Sequence, residues 1–500
     1  MPSLVGSEMC IRDRGCSTRT SFSMSTDSSS RTAISRRRFL EFSQTGIGST
    51  ALMSMLADDH PVVGSGTPPH TAPRARRVIH IVATGGFSQV DSFDYKPQLA
   101  RLHGTPLKSD EKPDVFFGKV GLLRQSDWPF RQRGNSGLWV SELFPHLAGV
   151  ADELTIIKSM VAETSNHTPA TFQENSGFRL NGFPVLGSWL SYGLGSASRN
   201  LPTHVVIPDP RGLPAGGSIN WTNGFLPSEH QGVPLRARGT PLDDLFPSRP
   251  LPAATERDSR QLLALLNRQH LEQRGSDDAL LGRIRSYQSA ARMQLAVPEV
   301  TALDSETQAT QQLYGLGREP TADLGRACLL ARRLLQQGVR FVQLFSGGAF
   351  GRPRHNWDGH EDMVKNHGRE AARVDQPLAA LLTDLRRTGL LDDTVVLFTS
   401  EFGRTPFAQS NAGVLGTGRD HNQYGFSVWM AGGGLKGGFS YGSTDVYGWK
   451  ASENITTWHD FHATLLHLLG IDHEDLTFYH NGIERRLTNV HGEVIDAILS

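Results

Sequence analysis

Cysteine is nearly absent from this chain. Of its three cysteines, Cys10 and Cys16 lie near the N-terminus, which leaves Cys328 by itself in the remaining sequence. A lone thiol makes no internal disulfide and rules out a cysteine-based zinc site. Cys328 falls inside the helical pattern LGRACLLARRLLQQG, where it reads as a small buried apolar residue. Net charge is absent too: 50 Lys+Arg stand against 50 Asp+Glu, so no electrostatic pull towards nucleic acid is expected. No apolar run approaches the roughly 20 residues of a membrane span. No internal repeat or low-complexity core is visible. What is abundant is glycine (52) and proline (27), with 38% hydrophobic residues, the balance of a globular chain with many loops around a regular core. Length admits up to about three domains.

Residues 1–34 do not read as folded protein. The opening MPSLVGSEMCIRDR resembles translated sequencing-adapter read-through, with Met24 as the expected start, and the Ser/Thr-rich tract after it has the composition of a disordered lead. Residues 35–57 differ. Arg36-Arg37-Arg38-Phe39-Leu40, followed by a weakly apolar Gly/Ser/Ala stretch to Ala57, resembles a twin-arginine export signal and implies delivery to the periplasm or cell surface. Residues 58–75 form a Pro/His/Gly linker, and 76–500 read as a single domain with a loop-rich insertion at about 210–255.

Within that domain the pattern is one of short apolar runs alternating with helical stretches, which predicts an α/β fold with a central, largely parallel sheet and helices on both faces. The expected strands are 77–84, 154–158, 340–345, 394–399 and 426–431, with a further short strand at Thr203–Ile207. Helices are expected at 185–198, 257–274, 277–295, 324–337, 366–388 and 458–469, and the closing segment Arg486–Leu499 is expected to pack on the outside.

The strand ends carry the chemistry. The first run stops at Gly85-Gly86 and is followed by Asp91 and Asp94. The second leads to Ser165-Asn166-His167-Thr168-Pro169, a helix start whose hydroxyl and imidazole would sit at the positive end of a helix dipole. Asp358 and His360 follow the third. Ser400-Glu401-Phe402-Gly403-Arg404-Thr405-Pro406 follows the fourth, and Gly418-Arg419-Asp420-His421-Asn422 precedes the fifth. Open α/β sheets present their ligands at the carboxyl ends of the strands. Carboxylates with imidazoles and no thiols suit a divalent metal, Zn²⁺, Mn²⁺, Ca²⁺ or Mg²⁺. Two such ions a few ångströms apart would clamp the oxygens of a phosphoryl or sulfuryl transfer, with a hydroxyl at a helix start as nucleophile. Any one of these loops alone is equally an ordinary polar turn, and His459, His462 and His467 read as helix-face residues.

Taken in order, Gly-Gly-x-Ser-x-x-Asp, Asn-His-x-Pro-Ala, Trp-Asp-x-His, Glu-Phe-Gly-Arg-Thr-Pro and Gly-Arg-Asp-His-Asn-x-Tyr-Gly resemble domain-of-unknown-function family 1501. These are exported bacterial proteins placed in the alkaline phosphatase/sulfatase-like superfamily. The resemblance runs from about Arg77 to the C-terminus and implies an alkaline phosphatase-like fold. It implies metal ligands at Asp358, His360 and His421, with Glu401 and Asp91 as further candidates, and catalytic roles for Thr168 (or else Ser165), His167, Arg404 and Arg419. It also implies an ester substrate, small-molecule or polysaccharide. Three departures stand out. Phe402 replaces the histidine of the superfamily's Asp-His pair, Gly85-Gly86 replaces the aspartate ending the first strand, and the absence of Cys-x-Pro-x-Arg excludes a formylglycine sulfatase mechanism. Two functions remain open at this level: a metal-dependent hydrolase of phosphate or sulfate esters, and a binding or surface-assembly protein on the same fold without the chemistry.

Overall fold

Short runs in which nearly every residue is apolar cannot rest one face on water, so they predict strands covered on both sides. In the computed structural model this is what RVIHIVA, FVQLFS, TVVLFT and FSVWMAG become, each almost wholly buried. Residues 69–500 are described, apart from 109–112, 244, 246–251 and 276. The expected disordered lead, the twin-arginine segment and most of the linker lie outside the described residues, as does part of the expected insertion.

Ten strands matter here: β1 (Arg77–Ala83), β2 (Leu154–Met160), β3 (His204–Ile207), β4 (Val233–Pro234), β5 (Phe341–Ser346), β6 (Thr394–Thr399), β7 (Gly403–Ala408), β8 (Arg419–Asn422), β9 (Phe426–Gly432) and β10 (Phe439–Tyr441). Eight form the central sheet in the order β10-β2-β9-β6-β1-β5-β3-β4. β1 lies between β5 and β6, parallel to both, with Val82 opposite Phe345 on one side and Thr399 on the other. All the strands expected from the sequence lie in this sheet. β9 alone runs antiparallel to its neighbours β6 and β2. It therefore begins at the edge where the parallel strands end. β7 and β8 form a separate antiparallel pair beyond that edge, with His421 opposite Arg404.

Side chains alternate across the sheet. Ile79, Ile81, Val342, Leu344, Val396 and Phe398 point into one core. Covering it are α5 (Ala322–Gln336) and α6 (Met363–Arg387), through residues such as Leu330, Leu334, Leu378 and Leu381. Val78, Phe341, Val395, Leu397, Val428 and Met430 point into the other, under α2 (Leu186–Leu194) and α7 (Trp458–Leu468), with Trp189, Trp458 and Leu465. Each such apolar side chain contributes about 1.5–3 kcal/mol on burial. Cys328 is buried within α5.

Two helices, α3 (Ala253–Arg274) and α4 (Asp278–Thr301), run longer than their periodicity suggested. The closing segment runs along the outside, with Val490 74% exposed, but it is anchored: Leu487, Ile498 and Leu499 are buried in the second cluster and Leu499 bridges to Leu435. Its apolar residues are too few and scattered for a periodic signal. Among the described residues no helix is long and apolar enough to cross a membrane.

Candidate metal centre

Three loops and one helix start meet over the carboxyl ends of β1 and β6. The segment after β5 crosses back above β1, where Trp357 donates its backbone N–H to the Thr84 carbonyl at 2.9 Å. This crossing requires Gly85. Its φ is +116°, and a Cβ there would lie 2.6 Å from the Asp358 nitrogen. The missing aspartate at the end of β1 is thus explained by close approach of two backbones. Gly418 makes the companion contact: a Cβ on it would sit 1.7 Å from the His360 carbonyl oxygen. Arg419 donates its N–H to Gly359 at 3.1 Å and so brings β8 alongside the same loop. From the third side comes α1 (His167–Ser176), with Asn166 as its N-cap.

His167, Asp358, His360 and His421 converge, each offering one ligand atom, with all four atoms within 4.8 Å of one another. Asp358 Oδ1 lies 2.6 Å from His360 Nε2 and 3.3 Å from both His167 Nε2 and His421 Nε2. The outer nitrogens decide how to read this. His167 Nδ1 faces Glu401 Oε1 at 2.6 Å, His421 Nδ1 faces the Ser165 carbonyl at 2.6 Å, and His360 Nδ1 faces Gln409 Oε1. Each partner is an oxygen that accepts, so each Nδ1 carries a proton, and a ring holding that proton alone presents an Nε2 lone pair inward. His360 Nε2 and His421 Nε2 stand 3.0 Å apart. Lone pairs aimed at one another and at a carboxylate oxygen repel unless a cation lies between them. An imidazole tied at its far nitrogen to a carboxylate or carbonyl is the usual support of a metal-ligating histidine. The residues present therefore fit a metal ion.

Charge within the group is unevenly held. Burial would push Asp358 up, but His167, His360, His421 and Arg404 together hold it far below the usual carboxylate range. Burial opposes a charge on His167, yet its bonds to Asp358 and Glu401 prevail and raise its pKa. Burial pushes His421 well below its ordinary value despite Asp358, so its ring stays neutral.

Several residues expected at the site serve it from outside. Glu401 does not join the four; its carboxylate accepts the Gly85 N–H at 2.8 Å and holds His167. Asp91 is turned away, bound by Arg419 through Nε at 2.8 Å and Nη2 at 3.2 Å, with both side chains 0% exposed. Arg419 also donates to the Thr405, Arg124 and Gln125 carbonyls. Arg404 is fully buried, donating to Asp358 Oδ1 at 2.7 Å and to the Gly85, Gly86 and Arg419 carbonyls. Neither arginine is open to a substrate. Thr168 follows His167 in the first turn of α1, while Ser165 meets His421 through its carbonyl. Phe402, which replaces the histidine of the resembled Asp-His pair, lies against the His167 and His421 rings, with centroids 4.9 and 4.6 Å away.

Other participants carry no sequence signal. Gln409 follows β7, and the pairing of β7 with β8 brings it near His360. Arg354, 27% exposed, bonds Asp358 Oδ2 from the rim. Phe116, Phe117 and Phe350 ring the group, each against one or more of its imidazoles.

Among solved structures, similar chains include a lipoteichoic acid synthase from Listeria monocytogenes, at 10% identity and TM-score 0.34, covering 85% of this chain and 77% of that one. A sulfatase from Pseudoalteromonas sp. is 12% identical, with TM-score 0.34 and coverage of 84% and 72%. A protein in the alkaline phosphatase superfamily from Vibrio parahaemolyticus is 12% identical, with TM-score 0.33 and coverage of 86% and 78%. Likeness this distant has no bearing on the chemistry. No curated protein matches. The model of the family described as "Protein of unknown function (DUF1501)" matches residues 75–499, and the chain belongs to that family.

Proposed function

We propose that this protein is a metal-dependent hydrolase of phosphate or sulfate esters. The supporting observation is the inward set of three imidazole Nε2 atoms around Asp358 Oδ1, with every outer nitrogen tied to an oxygen. His167, His360, His421 and Asp358 would hold the ion. Imidazole-rich coordination favours Zn²⁺ over Mn²⁺, Ca²⁺ and Mg²⁺. When bound, such an ion supplies Lewis-acid stabilisation of charge on an ester oxygen. The remaining roles fall to the chain itself. Glu401, Gln409 and the Ser165 carbonyl hold the imidazoles in one tautomer. Phe402 keeps water from their inner faces. Arg354 places a guanidinium at the rim, where the free oxygens of an anionic ester would meet it. Thr168, or else Ser165, supplies the hydroxyl nucleophile at the start of α1. A twin-arginine route to the periplasm or cell surface belongs to the same reading. Replacing Arg36 and Arg37 by lysine is expected to hold the precursor in the cytoplasm, and normal export of that variant would refute the route.

Two observations favour a second function. Phe402 replaces the histidine of the resembled Asp-His pair and Arg419 engages Asp91, which suits a binding or assembly protein that keeps a structural ion. Titration of Zn²⁺ and Mn²⁺ into wild type and His360→Ala/His421→Ala, followed alongside aryl phosphate and aryl sulfate hydrolysis, separates the two. Loss of tight binding and of hydrolysis together is expected. Equal affinity in both proteins would remove the site. Tight binding without hydrolysis would leave the second function standing.

A further inference from the structure

The rim of the metal centre carries two phenylalanines that folding has not covered. Phe116 is 45% exposed and Phe117 50%. They are not tethered loosely. Val115 packs against the small core of Val90, Leu99 and Phe407, and Asp114 accepts the Tyr424 hydroxyl at 2.6 Å. The Phe117 N–H is bound by Asp420 Oδ2 at 2.9 Å, one residue before His421. Phe117 stands edge-on to His360, with centroids 4.9 Å apart and planes at 87°. Phe116 lies 4.8 Å from the His421 ring, and Phe350 closes the collar 4.4 Å from His167. Half-exposed aromatic rings fixed beside a polar centre are unusual on a free surface and are well suited to packing a flat ring. Arg354, paired with Asp358 and Glu361, brings a guanidinium to the rim of the same centre.

We infer that Phe116, Phe117 and Phe350 form a ring-binding subsite, and that the ligand is an anionic ester carried on a six-membered ring. This rests on the proposed hydrolase reading for the anionic end alone, since the packing of a ring needs no turnover. The ring is either an aryl group or the C–H face of a sugar, and both pack on phenyl faces by the same dispersion contacts.

The test is equilibrium binding to the Zn²⁺-loaded protein, with methylphosphonate, phenylphosphonate and cyclohexylphosphonate as probes. At least one ring-bearing phosphonate is expected to bind about tenfold more tightly than methylphosphonate, in line with the strength of an aromatic contact. Preference for the phenyl probe would identify an aryl group, and preference for the cyclohexyl probe a saturated ring such as a sugar. In Phe116→Ala/Phe117→Ala, assayed at saturating Zn²⁺, the preference is expected to fall below about twofold while methylphosphonate still binds. Phe117→Trp is expected to retain it. Equal binding of all three probes by wild type, failure of any to bind, or an undiminished preference in the double variant would overturn the subsite. Ring selection without ester hydrolysis would keep the subsite and refute the hydrolase reading.

Discussion

Glu401 and Asp91 are both buried carboxylates at the carboxyl edge of the sheet, and their surroundings give them different work. Glu401 orients His167 from outside the ligand group. Removing such a support typically lowers metal affinity about 10–100-fold. Glu401→Ala is therefore expected to weaken Zn²⁺ binding by that factor while leaving some binding, whereas His360→Ala/His421→Ala abolishes it; isothermal titration distinguishes them. Asp91 instead neutralises Arg419, which lowers its pKa against the opposing effect of burial. Asp91→Ala leaves a guanidinium unpaired in the interior, a change that costs about 3–5 kcal/mol. Urea unfolding should show that loss, and metal affinity measured under folding conditions should be unchanged. A large fall in affinity would return Asp91 to the ligands.

At the scale of elements, the site depends on two backbones crossing above β1 and on one strand running against the rest. Because β9 is antiparallel, the turn before it lies at the same edge as the ends of β1, β5 and β6, and His421 arrives there. Gly418 then brings β8 against the loop bearing His360. A methyl group on Gly418 would meet backbone, not a flexible side-chain end, so the loop must shift. Gly418→Ala is expected to cost about 1–3 kcal/mol, as overpacking does, and to weaken metal binding by displacing His360. Unaltered Zn²⁺ affinity in Gly418→Ala would show that the crossing does not set the ligand geometry.

For the whole molecule, acid sensitivity follows from histidines that fold uncharged. Burial pushes His80, His204, His367 and His462 each down to about 3 from 6.5. Between those values the unfolded chain binds protons that the native chain refuses, so stability is present above pH 6.5 and is lost as pH falls towards 3. Each site contributes up to about 1.4 kcal/mol per pH unit over that window. Urea midpoints are expected to be level above pH 7 and to fall steeply from pH 6.5 to 4.5. In His204→Leu, which removes one of these rings from its place beside Phe341, that slope should be shallower. A variant with the same slope as wild type would refute the assignment to His204.

The fold was largely legible in the sequence because burial on both faces demands continuous apolar runs, and those runs lie in plain view. Local chemistry was legible in part: Asp358, His360, His421 and His167 stand beside strand ends and a proline-marked helix start. The buried anchors of the closing segment escaped because scattered apolar residues have no period, and Gln409, Arg354 and Phe116–Phe117 because their own letters match no ligand pattern, even where a motif stands close by. Tertiary structure decided the rest. Strand order and the reversed direction of β9 determined which loops meet, and the outer partners of the imidazoles determined where their lone pairs point. Those partners lie from 49 to 256 positions away, one of them a backbone carbonyl, and no local pattern of side chains encodes such contacts. For the same reason Asp91 and Glu401, alike as letters, became a partner of an arginine and a support of a histidine.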